Sequence, residues 1–194
     1  ESGRTLLDVV DRLHALAGTG RIRISSIEPT TVEAGLLERM ADPAHKLVPF
    51  LHLPVQSGAD EVLAAMRRRY TAAQYRDFAE AALEQVPDLW LGTDVMAGFP
   101  GESDEHFGET FALLDALPLA YCHIFPYSAR EGTPAARRPA DAVEGGRRRR
   151  QAGLEAQGGL EVRTGRVPFA GVEFEQSPVV PAGRGVGRDP DDRG

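Results

Sequence analysis

Cysteine is nearly missing: one residue, Cys122, stands in 194. A single thiol excludes an intramolecular disulfide framework and favours a reducing compartment, the cytoplasm. It also excludes a self-contained cysteine-ligated zinc or iron–sulfur site, which needs three or four thiolates. No apolar run reaches the length of about 18 residues that reads as a transmembrane helix. The opening residues Glu1-Ser2-Gly3-Arg4 carry no apolar stretch of signal-peptide type. The sequence holds no internal repeat. Positive charge is in deficit, with a formal net charge of −7. The average field therefore repels phosphate, and a nucleic-acid partner requires a local basic patch. What remains is ordinary for a globular chain, 42% apolar and 26% charged. The length suits one domain with a tail.

The glycines divide the chain. Ten of the 21 lie in residues 1–135 and eleven in 136–194. Beyond Pro134 the only aromatics are Phe169 and Phe174, and Arg147-Arg148-Arg149-Arg150 forms a like-charge block. A Gly/Pro/Arg-rich ending without periodicity buries too little apolar surface to offset its chain entropy. The expected organisation is a folded region over residues 1–136 and an irregular tail over 137–194.

Within the folded region, segments of period 3.6 alternate with segments of period two. Leu6, Val9, Val10, Leu13 and Leu16 mark a helix, with Gly18 just beyond its end. Arg21 to Ile27 alternates as a strand. A short helix follows over 33–40 with Leu36, Leu37 and Met40 inward. A second strand covers 50–56, and Val62, Leu63 and Met66 mark a helix ending in Arg67-Arg68-Arg69. Thr71 and Gln74 form a capping box for a helix with the stripe Tyr75, Phe78, Ala79, Ala82, Leu83 and Val86. A third strand covers 90–97. Ser103 caps a helix with an acidic first turn and the stripe Phe107, Phe111, Leu114 and Leu117. A fourth strand covers 120–125. The alternation predicts an α/β fold of right-handed, parallel-stranded (β/α) units, an open sheet or a portion of a larger barrel. His52, His123 and Cys122 lie in apolar strands and read as core residues.

In such folds chemistry sits at the C-terminal strand ends. Four junctions collect polar residues and glycine there. They are Ser25-Ser26-Ile27-Glu28-Pro29, His52-Leu53-Pro54-Val55-Gln56-Ser57-Gly58, Thr93-Asp94-Val95-Met96-Ala97-Gly98-Phe99-Pro100-Gly101-Glu102 and His123-Ile124-Phe125-Pro126-Tyr127-Ser128. Together with Met66-Arg67-Arg68-Arg69-Tyr70-Thr71 and Gly132-Thr133-Pro134, these stretches resemble the radical S-adenosylmethionine methylthiotransferases that thiomethylate tRNA. The first and fourth junctions are most similar to the branch acting on N6-threonylcarbamoyladenosine at tRNA position 37. Sister branches act on isopentenyladenosine in tRNA or on a ribosomal protein.

The resemblance implies a partial (β/α) barrel using S-adenosylmethionine and [4Fe–4S] clusters, with tRNA as partner. It also implies that the cysteines holding both clusters are missing, as in a fragment lacking the cluster-binding N-terminal region and inactive alone. Glu28, Gln56, Ser57, Gly98 and Glu102 are then the expected cofactor cradle, as hydrogen-bonding groups and close-approach glycine. Arg67, Arg68 and Arg69 are the expected RNA contact. A second reading is a cluster-free module holding RNA through these arginines and Arg147 to Arg150. A phosphate-binding (β/α) enzyme is disfavoured, because no Gly-rich loop opens a helix.

Overall fold

The computed structural model describes residues 3–137. The Arg147–Arg150 block and nearly all of the expected tail, 138–194, lie outside the described residues. The elements follow in the order α1 (Leu6–Ala15), α2 (Ala34–Ala41), β1 (Phe50–His52), α3 (Asp60–Ala65), α4 (Ala72–Gln85), β2 (Trp90–Ala97), α5 (Asp104–Ala116) and β3 (Tyr121–Pro126). Short 3-10 turns occupy Pro29–Thr31 and Ala135–Arg137. The strands form a parallel sheet in the order β1-β2-β3, with Phe50 opposite Trp90 and Gly92 opposite Tyr121. The parallel (β/α) class expected from the alternation is therefore present.

The expected strand at 21–27 is a correction. Only its ends pair with the neighbouring chain, one just before β1 and one at its end. Ile22 bridges Leu47 in parallel, and the Ile27 N–H reaches the His52 carbonyl at 3.1 Å. The chain around Pro49 explains the gap. Proline donates no ladder bond, and the Phe50 N–H turns back to the Val48 carbonyl at 2.7 Å, so it is lost to the neighbouring segment. The alternating pattern placed the segment beside β1 without supplying a continuous ladder.

The two faces of the sheet differ. Leu91, Val95, Ala97, Cys122 and Ile124 lie in the core with residues of α2 and α4. Tyr75 on α4 is fully buried, and its hydroxyl donates to the Leu53 carbonyl at 3.0 Å. The stripe expected on α4 is seen, with Tyr75, Ala79, Ala82 and Val86 buried and Phe78 and Leu83 packed against them. Its capping box is also formed, with Thr71 and Gln74 exchanging bonds of 2.9 and 3.1 Å. Two stripes need correction. On α5 the expected Leu114 and Leu117 are buried and Phe107 packs against the core, but Phe111 is 40% exposed, and Thr110 and Leu113 are buried as well. On α1 only Val10 is buried, and Leu6, Val9, Leu13 and Leu16 stay exposed.

The alternate residues of the sheet look the other way, onto a face that is open beyond Met96, which packs against the Ala59, Val62 and Phe99 cluster. Asp94 and Met96 are half-buried there, and His123 and Phe125 are exposed. The reading of His123 as a core residue is thus corrected. Cys122, 2% exposed, lies in the core as expected, while His52, 7% exposed, is buried on the opposite face against the Tyr121 ring. Burial pushes the Cys122 thiol up to about 12, so it is an inert core group at neutral pH.

Candidate active site at the strand ends and the open face

The chain past β1 carries an inserted residue. The Leu53 N–H bonds the Gly92 carbonyl at 2.9 Å and the Gln56 N–H bonds the Asp94 carbonyl at 2.8 Å. Three residues on one side thus advance against two on β2, which is a bulge. Its strain falls on Gln56, a non-glycine residue at φ +67°. Side chains from the approach to α4 and from β2 pin the bulge. The Tyr70 hydroxyl donates to the Pro54 carbonyl at 2.9 Å, and the Thr93 hydroxyl donates to the Leu53 carbonyl at 2.7 Å. The Val55 N–H, which would otherwise lack a ladder partner, donates to Thr93 Oγ1 at 3.1 Å. Burial raises the pKa of both Tyr70 and Tyr75, so both phenols stay protonated as donors. The outcome is a half-buried Gln56 at a strand end, held in an uncommon conformation by fully bonded neighbours.

Ser57 and Gly58 serve this loop rather than its ligand side. Thr110 Oγ1 donates to the His106 carbonyl at 3.1 Å and accepts the Gly58 N–H at 2.8 Å. The Ser57 hydroxyl, 3.2 Å away, then donates to Thr110 and accepts the Ala59 N–H at 3.2 Å. Ser57 is fully buried. The hydroxyl expected to face the cofactor makes its bonds here within the loop. A Cβ on Gly58 would stand 2.5 Å from the Thr110 Cα, so this glycine lets the loop touch the α5 backbone.

The loop after β2 turns on Gly98 at φ +80° and Gly101 at φ +93°. Glu102, 6% exposed, accepts the Gly98 N–H at 2.6 Å, while its own N–H bonds the Phe99 carbonyl at 2.9 Å. The carboxylate expected in the cradle therefore ties the loop to itself, and with it the Gly98 N–H. Phe99 anchors the loop below, in a small cluster with Ala59 and Val62.

Glu28 and the arginines come together. Glu28 lies at the entrance of the Pro29–Thr31 turn, and its carboxylate pairs with Arg68 at 2.5 Å. The pair joins one residue expected at the cofactor with one expected at RNA. Arg67 has a backbone task. At φ +61° it closes α3, with its N–H on the Ala64 carbonyl at 3.0 Å and the Arg68 N–H on the Leu63 carbonyl at 2.9 Å. The side chains of Arg67 and Arg69 are exposed.

A further group, missed in the sequence, crosses all three strands on the open face. Tyr121 lies flat over Gly92, where any Cβ would run into the ring. Its hydroxyl meets His52 Nδ1 at 2.8 Å. His52 Nε2 meets Asp94 Oδ2 at 3.1 Å, and His123 Nδ1 meets Asp94 Oδ1 at 3.1 Å. The available signal was His52, Asp94 and the pair Tyr121 and His123 on one alternation face of three strands, beside a glycine that leaves room for a ring. Among the described residues no group of three or more His, Cys, Asp or Glu side chains is placed to hold a metal ion.

Parallel (β/α) units with a bulged strand end and a glycine-turned loop at the C-terminal strand ends place the chain in the α/β class. Residues 3–114 match the Radical SAM superfamily, and the chain belongs to it. It is 40% identical over 151 residues to the tRNA-2-methylthio-N(6)-dimethylallyladenosine synthase of Stutzerimonas stutzeri (strain A1501), covering 76% of this chain and 34% of that protein. It is 41% identical over 137 residues to the enzyme of the same name from Cereibacter sphaeroides (strain ATCC 17025 / ATH 2.4.3), covering 71% of this chain and 31% of that protein. The chain thus spans about a third of the length of these relatives. Coproporphyrinogen III oxidase from Escherichia coli, a radical SAM enzyme, shares the fold at a TM-score of 0.57 and 19% identity, over 75% of this chain and 32% of that one. Both named synthases belong to the dimethylallyladenosine branch. The similarity to the threonylcarbamoyladenosine branch drawn from two short stretches is thereby corrected.

Proposed function

We propose that this chain is the cofactor-cradling portion of a radical S-adenosylmethionine methylthiotransferase whose substrate is tRNA bearing N6-dimethylallyladenosine. The observation that carries the reading is the identity of about 40% to two synthases of that activity across three quarters of the chain. The site is consistent with it. S-adenosylmethionine, when bound, supplies the radical chemistry and the methyl group, while the protein binds and orients it. The half-exposed Gln56 amide offers both a donor and an acceptor to its polar ends. The glycine-turned loop at Gly98 brings backbone close, and Glu102 fixes that loop. Glu28, held by Arg68, stands at the neighbouring junction.

An iron–sulfur cluster does not fit the residues present. The chain has one thiol, Cys122, which is buried and held in its protonated form. Such clusters take three or four cysteine thiolates. No step is assigned to this chain through a cluster.

The test is replacement of the matching segment of the Stutzerimonas stutzeri synthase with residues 3–137, in cells lacking that synthase. Mass spectrometry of tRNA nucleosides should show the 2-methylthio group on dimethylallyladenosine. Thiomethylation of threonylcarbamoyladenosine instead would move the chain to the sister branch. A segment that folds in the hybrid yet restores neither product would contradict the reading.

A further inference from the structure

The network on the open face has a direction. Burial raises the Tyr121 pKa, so its phenol stays protonated and donates to His52 Nδ1. His52 then carries its proton on Nε2 and donates it to Asp94 Oδ2. His123 donates its Nδ1 proton to Asp94 Oδ1. Both carboxylate oxygens are engaged, and His123 Nε2 is left with no hydrogen-bond partner among the described residues. The His123 side chain is 55% exposed, against 9% for His52. One end of the relay is therefore sealed and the other is open.

The surroundings of the open end suit a nucleotide. Tyr121, His123 and Phe125 follow one another at alternate positions of β3, with ring centroids 5.0 and 6.2 Å apart. Phe125 is 50% exposed. Such a row of rings is a stacking surface for a base. Arg23 lies 3.6 Å above the Phe50 ring and its charge reaches Tyr121. A guanidinium at the half-buried end of this row of rings matches a phosphate next to a base. This favours an RNA nucleotide over S-adenosylmethionine, which carries no phosphate.

We infer that His123 is a base-contacting residue for a flipped purine of the RNA substrate, with Asp94 as its positioning residue and Arg23 as the contact to the adjoining phosphate. The inference rests on the reading of the chain as a portion of a tRNA-modifying enzyme. It adds the residues that read the base.

The test uses the full 194-residue chain and two anticodon stem-loop RNAs, one with adenosine at the target position and one abasic there, compared by fluorescence anisotropy at fixed salt. His123→Asn keeps a donor where Nδ1 stands and removes the outward nitrogen. It should keep the melting temperature and lose about tenfold in affinity for the adenosine RNA, one hydrogen bond's worth, with no loss for the abasic RNA. Arg23→Ala should weaken both RNAs alike and reduce the salt dependence. Full preference for adenosine over the abasic RNA in His123→Asn would overturn the inference. An unaltered chain that binds RNA without that preference would overturn it while leaving the tRNA reading in place. An unaltered chain that binds neither RNA would remove both.

Discussion

Left-handed backbone at residues other than glycine singles out Gln56, Arg67 and Asp88, at φ +67°, +61° and +57°. Each holds a conformation that costs on the order of 1–2 kcal/mol for a residue with a Cβ. At Arg67 the cost ends a helix, so glycine is the better residue. Arg67→Gly should leave stability unchanged or raise it by up to about 1 kcal/mol in urea unfolding. Arg67→Val should lower it by a similar amount, because a branched side chain fits this region poorly. His45 gives a pH dependence. Its ring is 8% exposed and stacks on His14 with centroids 4.0 Å apart, and its Nδ1 accepts the Leu47 N–H at 3.0 Å. Desolvation, then the His14 charge, lowers its pKa below the ordinary 6.5. The fold thus prefers neutral His45. Its contribution to stability is complete above about pH 6.5 and is lost as pH falls from there toward the lowered folded value. Urea midpoints measured from pH 7.5 down to 5 should decline through this range, and His45→Gln should flatten the decline.

At the scale of elements, glycine positions decide how closely a loop or ring approaches. Gly58→Ala would set a Cβ 2.5 Å from the backbone of α5. It should cost about 1–3 kcal/mol, as overpacking does, and the melting temperature should fall. Thr71→Ala removes the α4 cap and should cost about 1 kcal/mol by the same measurement. Helix starts were legible because capping is local chemistry: Thr71 with Gln74 and Ser103 at the head of α5 stand where the residues placed them. β2 and β3 were legible as strands for the same kind of reason, while β1 ends at His52, short of the expected 50–56, because the bulge interrupts its ladder. The segment 21–27 was not legible, because its pairing depends on where the Phe50 N–H goes, and that is set by Pro49 on another segment. The site was only partly legible. Gln56 was singled out from its place at a strand end, yet the bulge that aims it involves Thr93, Tyr70 and Tyr75 from distant positions. The partner of the Ser57 hydroxyl, Thr110, lies 53 residues away and is not legible from the local sequence. The network of His52, Asp94, Tyr121 and His123 escaped notice because only the strand register aligns these residues.

On the scale of the whole molecule, the described residues form a parallel sheet backed by helices on one side, while its other face beyond Met96 and the α1 stripe are open. No described helix is long and apolar enough to cross a membrane. The central task proposed for this sheet is to orient S-adenosylmethionine at the strand ends through Gln56. The most direct measurement is calorimetric titration of S-adenosylmethionine into the hybrid synthase carrying residues 3–137, with and without Gln56→Gly. Glycine accepts the φ of +67° freely, so the substitution removes the amide while sparing the bulge. The expected result is about a tenfold loss of affinity, the equivalent of one or two hydrogen bonds, at a melting temperature within a few degrees of the parent. Unchanged affinity in the folded Gln56→Gly hybrid would contradict that role.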